Sequence, residues 1–440
     1  MKFVSTRGQA PPTAIDAALV AGLAPDGGLY VPERIPTVGM EPGDTLAKTA
    51  HDVLAPYFVE SSLRDALPAI CAHAYSFDAP LRDMTGNGDH LLELFNGPTA
   101  AFKDYAARFL ADALSRLRPD DAAPTTIIVA TSGDTGAAVA SAFHRRDGFN
   151  VVILYPEGRV SPRQAHGLEC WGDNVRTFRV QGTFDDCQRL AKQALSDDAL
   201  RREVPLSSAN SISLGRLLPQ VAYYAHAALR FHRQHRAPLN FIVPTGNLGN
   251  ACAAFLARRM GLPVGELVLA CNSNDVLPRY FAGEPYEPRA TKATLANAMD
   301  VGAPSNFERL RHWHASDGAL RDALRAFTVD DATIADVVRA APERHGIVAD
   351  PHTASGLHVL QRLRSQGDTR AWAVVATAHP AKFDTIVEPL VGHEVPVPPS
   401  LAQCLSRPAS AQRLPADYDA LRDALLAGVA ASGTFGRRPA

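Results

Sequence analysis

The chain is poor in lysine. Of its 44 basic residues only six are lysines, Lys2, Lys48, Lys103, Lys192, Lys292 and Lys382, against 38 arginines. Chemistry that specifically needs a primary amine therefore has few places to sit. Cysteine is equally sparse. Cys71, Cys170, Cys187, Cys252, Cys271 and Cys404 are scattered, with no CxxC pair and no Cys/His cluster at zinc spacing, so neither a disulfide framework nor a metal site is expected. Long apolar runs are missing too: the stretch 239–257 is uncharged but broken by Pro244, Gly246 and Gly249, and makes a poor membrane span. Residues 1–12 lack the apolar region of a signal peptide, and a cytoplasmic, reducing location is expected. Nor is there an excess of charge. The formal net charge is −2 and no basic–aromatic pattern stands out, which argues against nucleic acid or a membrane surface as partner.

What is present is an ordinary globular mixture, 46% hydrophobic and 20% charged over 440 residues, enough for two or three domains. Short apolar, often β-branched segments recur, each followed by a glycine-bearing turn and a helical pattern. That rhythm indicates an α/β fold with open, mostly parallel sheets. Strands are expected at 91–95, 125–130, 151–155, 175–180, 240–243 and 371–376, with helices at 104–114, 137–146, 184–195, 217–232 and 251–260 between them. Residues 1–90 read as an N-terminal domain, 91–235 as a smaller α/β domain, 236–400 as a larger one and 401–440 as a helical tail.

Four loops between strand and helix carry the candidate chemistry. In NGPTAAFKD, Lys103 falls where a strand hands over to a helix, among unpaired N–H groups and beside apolar neighbours, conditions that favour a neutral amine. Such an amine can condense with an aldehyde and move protons; taken alone, it can equally be a solvated lysine in a first helical turn. In PTGNLGN, Gly246 and Gly249 permit tight backbone whose N–H groups can converge on a phosphate, with Asn247 and Asn250 as added donors. The sequence is neither a Walker loop nor GxGxxG. The third loop, ATSGDTG, is dense in donors and suits a carboxylate, although Ser132 or Asp134 can also simply cap the next helix. The fourth, ATAHPAKF, follows a strand, where α/β proteins place ligands.

These strings, with LYPEGRVSPRQ, GTFDDCQ, NSISLGRLLPQ, APSNFER, DPHTASG and the N-terminal STRG and APDGGLYVPE, occur in the order found in threonine synthases. From about Val4 to about Pro389 the chain resembles that family of pyridoxal-phosphate enzymes, whose fold is the tryptophan synthase β-like, or fold type II, architecture. The resemblance implies that Lys103 holds the cofactor as a Schiff base. It further implies that Gly246, Asn247, Leu248, Gly249 and Asn250 wrap the cofactor's phosphate and that Thr377 meets its ring nitrogen. Ser132, Gly133, Asp134 and Thr135 would receive the substrate carboxylate or, alternatively, its phosphate as well. Because the leaving phosphate is dianionic, Arg159, Arg163 and Arg216 are candidates to line its side of the cleft, with Asn210 and Ser211 as added donors, although Arg216 can equally be a surface arginine that pairs locally. The implied reaction is γ-elimination of phosphate and β-addition of water, turning O-phospho-L-homoserine into L-threonine in the last step of threonine biosynthesis, by a monomer or homodimer. A phospho-lyase or dehydratase that releases a 2-oxo acid is the neighbouring alternative. Asn96, where the family often has His, Leu248, where Phe is usual, and Glu157 with Arg159, where Lys is common, depart from the pattern.

Overall fold

The computed structural model describes residues 1–39, 41, 43–85 and 88–432. Two sheets organise them. The larger has six strands in the spatial order Arg325–Thr328, Val264–Cys271, Leu239–Pro244, Trp372–Ala376, Asp89–Glu93 and Leu81–Asp83, all parallel except the last pair. The smaller has five parallel strands, Gln412–Pro415, Val175–Gln181, Phe149–Pro156, Thr125–Ala130 and Leu206–Ser208. The expected pair of open, mostly parallel sheets is therefore present. A two-stranded antiparallel ribbon, Phe3–Ser5 with Tyr30–Pro32, starts the chain.

Both sheets are covered on both faces, which explains why central strands such as Thr125–Ala130, Phe149–Pro156 and Trp372–Ala376 carry nearly continuous apolar runs. In Thr125–Ala130, Ile127 and Val129 enter one core and Ile128 and Ala130 another. Ile242 and Val374 likewise face one side of the larger sheet, and Phe241, Val243, Ala373 and Val375 the other. The N-terminal elements share this second core, with Phe3, Ile15, Leu46 and Val53 packed among Tyr223, Tyr224 and Phe241.

Two strands sit elsewhere than their place in the chain suggests. The strand expected at 91–95, counted with the smaller unit, runs Asp89–Glu93 and lies in the larger sheet, because Leu91 and Leu92 each fill one of that sheet's two cores. In the tail expected to be helical, the segment Gln412–Pro415 extends the smaller sheet, with Leu414 buried in its core, and two helices, Pro399–Leu405 and Tyr418–Ser432, accompany it. Residues 433–440 lie outside the described residues. The first displacement matters for function. After Asp89–Glu93 the chain leaves the larger sheet and enters the helix Lys103–Leu117, which packs Tyr105, Phe109 and Ala113 on one core and Ala107, Leu110 and Ala111 on the core of the smaller sheet. The helix bridges the sheets, and Lys103 opens it.

Candidate active site

The start of that helix is pinned to the strand Trp372–Ala376. Leu94 N–H donates to the Ala376 carbonyl (3.0 Å), Phe102 N–H to that of Thr377 (2.9 Å) and His379 N–H to that of Ala100 (3.0 Å). Backbone bonds alone therefore fix Lys103 beside Thr377. Both line a cavity of about 1120 Å³ that also receives the other two candidate loops. Lys103 is half-buried, and its accessible surface opens onto this cavity. Burial dominates its amine and brings the pKa down to about 8; Asp134 pulls it back up, while Lys382 and Arg216 push further down.

The strand Leu239–Pro244 passes through 245–248 into the helix Gly249–Arg259, with Leu248 in the left-handed region at φ 65°. Gly246 is required here: a Cβ would lie 2.7 Å from the Cα of Met299, closer than atoms approach. At Gly249 the nearest atom from outside its own helix, Asn306 Nδ2, would lie 3.7 Å from an added Cβ, an ordinary contact distance. Asn250 is held as an open donor. Its Oδ1 faces the hydroxyls of Tyr223 (2.6 Å) and Tyr224 (2.9 Å), which fixes the amide, while its buried Nδ2 has no partner. Asn247 has a duty that its motif did not suggest. Its Nδ2 donates to Ser211 Oγ (2.7 Å) and its Oδ1 accepts from Ser305 N–H (2.6 Å), tying the turn to two other loops.

In the loop after Thr125–Ala130, neither Ser132 nor Asp134 caps the helix Asp134–Phe143. Thr131 organises the turn instead, its Oγ1 accepting from Gly133 and Gly136 N–H at 3.0 Å each. Ser132, Asp134 and Thr135 line the cavity and Gly133, at φ 138°, shapes the backbone between them. Burial would raise the Asp134 carboxyl, but Lys382 and Lys103 outweigh it and hold the group well below the usual carboxylate range.

Asn210, Ser211 and Arg216 reach the same cavity. Arg216 is only 2% exposed; one guanidinium nitrogen donates to the Ala209 carbonyl (2.7 Å) and its Nε has no partner. The other two arginine candidates do not fit this place. Arg163 is engaged by Asp384 and Glu388, both at 3.3 Å, and neither it nor Arg159 lines the cavity. Lys382, Ser213 and His352 carry no expected site role in the sequence. Lys382 pairs with Asp134 at 2.7 Å, Ser213 presents a buried hydroxyl without a partner, and His352 accepts from Ala298 N–H (3.1 Å) while its other ring nitrogen meets Asp350 (2.6 Å). Among the described residues there is no group of His, Cys, Asp and Glu arranged to hold a metal, and no helix long and apolar enough to cross a membrane.

Comparison with known proteins gives this geometry a family. The model described as pyridoxal-phosphate dependent enzyme matches residues 91–381, that for the threonine synthase N terminus residues 2–75, and that for the threonine synthase C-terminal region residues 353–425. The threonine synthase of Haemophilus influenzae is 38% identical, over 93% of this chain and 96% of its own. That of Escherichia coli K12 is 36% identical over 97% and 99%. The crystal structure of pyridoxal-phosphate-bound threonine synthase from Brucella melitensis superposes with a TM-score of 0.89 at 34% identity, covering 98% of this chain and 99% of that one. The yeast enzyme gives 0.88 at 28%, with the same coverage.

The residues present fit that cofactor. A low-pKa amine stands ready for its aldehyde, and the unpartnered Asn250 amide and the N-terminus of Gly249–Arg259 suit its phosphate. The chain belongs to the threonine synthase family and is a pyridoxal-phosphate-dependent lyase.

Proposed function

We propose that the enzyme converts O-phospho-L-homoserine and water into L-threonine and phosphate, in the cytoplasm and as a monomer or homodimer. The observation that carries this reading is the convergence on one cavity of a low-pKa amine, a phosphate cradle and a second set of anion-binding groups. When bound, pyridoxal phosphate supplies an electron sink for the charge left on the substrate when protons are removed.

The chain's residues do the rest. Gly246, Leu248 and Gly249 offer backbone N–H groups and Asn250 its amide to the cofactor's phosphate, and Thr377 offers a neutral hydroxyl to the ring nitrogen. The backbone and hydroxyls of Ser132, Gly133 and Thr135, at the positive end of Asp134–Phe143, orient the substrate carboxylate. Arg216, with its unpartnered Nε, and the neighbouring Asn210 and Ser211 take the substrate phosphate, where charge-assisted bonds are strongest. Lys103 takes the proton from Cα and later returns it. A pKa near 8 leaves a useful share of the amine neutral close to neutrality, and such positioned proton transfer contributes on the order of 10² to 10⁴ in rate. On the substrate, Cβ loses a proton, the Cγ–O bond breaks with departure of phosphate, Cγ gains a proton and water supplies the hydroxyl at Cβ.

Borohydride reduction of the loaded enzyme followed by peptide mapping tests the core of the assignment. The label is expected on Lys103 alone, and Lys103→Ala is expected to lose both the label and at least about 10² of the rate. Label on any of the other five lysines would overturn it.

A further inference from the structure

Lys382 closes a junction behind the cavity. Its side chain is 3% exposed, and its Nζ donates to Asp134 Oδ1 at 2.7 Å and to the Thr99 carbonyl at 2.8 Å. Its own carbonyl accepts from Ser161 Oγ at 2.6 Å, and the carbonyl of Ala381 accepts from Arg163 at 2.8 Å. Lys382 therefore touches the loop that leads into Lys103, the residue that opens Asp134–Phe143, and Ser161, the cap of the helix Pro162–Glu169. Gln164, on that helix, adds to the same cluster: its Nε2 donates to Asp134 Oδ1 (3.3 Å) and its Oε1 accepts from Asn297 Nδ2 (3.0 Å).

Taking two opposite charges out of water is costly, and a buried ion pair often gives no more stability than an apolar pair of the same volume. Stability alone is a weak reason for this one. Its position supplies a better reason, because Asp134 sits in the loop assigned to the substrate carboxylate. A bare negative charge there would repel the anionic substrate. We propose that Lys382 is a positioning residue for the reaction, neutralising Asp134 and fixing the 131–136 loop relative to Lys103, so that the substrate carboxylate meets donors and no unpaired charge. This rests on the carboxylate assignment of that loop.

The charges around the pair make the proposal measurable. Lys103 faces Asp134, Lys382 and Arg216; Asp134 also faces His352, and Asp104 faces both Lys382 and Arg216. Removing the Lys382 charge leaves Asp134 opposed by Arg216 alone, so Lys103 keeps its proton to higher pH.

Steady-state kinetics of the holoenzyme with O-phospho-L-homoserine read both effects. For Lys382→Met the KM is expected to rise about tenfold and the acidic limb of the kcat profile to move up by about one pH unit. Competitive acylation of Lys103 in the cofactor-free protein should show the same upward shift. In Lys382→Met/Asp134→Asn, where neither charge remains, the limb should return and KM recover most of its loss; a merely structural lysine would give no such rescue. Should Lys382→Met not fold, Lys382→Gln, which keeps a donor and loses only the charge, carries the same expectations. Ser132→Ala separates the role of Lys382 from the carboxylate assignment of the loop. If it raises KM while the Lys382 variants leave KM and the limb where they are, the role of Lys382 is overturned. If Ser132→Ala leaves KM unchanged, the carboxylate assignment of the loop falls first.

Discussion

Burial distinguishes Lys103 from an exposed lysine such as Lys48, which simply pairs with Asp52 one helical turn away. The same contrast separates Asn250 from Asn247. Both were legible in PTGNLGN as possible donors, but only contacts with residues distant in sequence decide which amide stays open. Two tyrosine hydroxyls fix Asn250 with its Nδ2 unpartnered, whereas Ser211 and Ser305 occupy Asn247. In the cradle proposed above, replacing Asn250 by Asp would put a carboxylate against the cofactor's phosphate, and like charges brought together cost several kcal/mol. Asn250→Asp is expected to bind pyridoxal phosphate at least about a hundredfold more weakly when the cofactor-free protein is titrated; unchanged affinity would remove Asn250 from the cradle. Lys382 was invisible at this scale. Its lysine code and its place in ATAHPAKF are plain, but its partners, Asp134 and Thr99, belong to other elements.

Between elements, the phosphate turn shows how a glycine's role depends on what approaches it. The strand–turn–helix pattern around Gly246 and Gly249 was readable, but the reason for each glycine was not. At Gly246 the neighbour is Met299 backbone, which cannot swing aside, so Gly246→Ala should cost about 1–3 kcal/mol as an overpacked site. At Gly249 the nearest protein atoms leave ordinary room, and an added methyl intrudes only on the cavity. The two substitutions should therefore separate. Gly246→Ala lowers the unfolding midpoint of the cofactor-free protein, and Gly249→Ala leaves it nearly unchanged while weakening cofactor binding. Equal loss of stability in both would contradict this division. The turn is further braced from outside: Asn306 donates to the Asn247 carbonyl (2.8 Å), and the buried Arg309 links Asn306, the Tyr30 carbonyl (3.1 Å) and the Ile212 carbonyl (2.6 Å). The strings NSISLGR, PTGNLGN and APSNFER, separate in the sequence, are one bracket in space.

For the molecule as a whole, the α/β class and the main strands were legible because fully buried parallel strands leave continuous apolar runs. Which sheet each strand joins was not. A run buried on both faces carries no local mark of its neighbours, so Asp89–Glu93 reads the same in either sheet, and the short Gln412–Pro415, with only Leu414 buried, hardly reads as a strand at all. The site depended on that missing information. Lys103 lies next to the residue bonded to Thr377 because Asp89–Glu93 lies beside Trp372–Ala376, and it comes under the charge of Asp134 because its helix crosses to the smaller sheet. We infer that this crossing assembles one cavity for threonine formation. Incubating the purified, cofactor-loaded protein with O-phospho-L-homoserine and quantifying both products tests it most directly. L-Threonine and phosphate in equal amounts are predicted; 2-oxobutyrate with ammonia and phosphate, and no threonine, would contradict it.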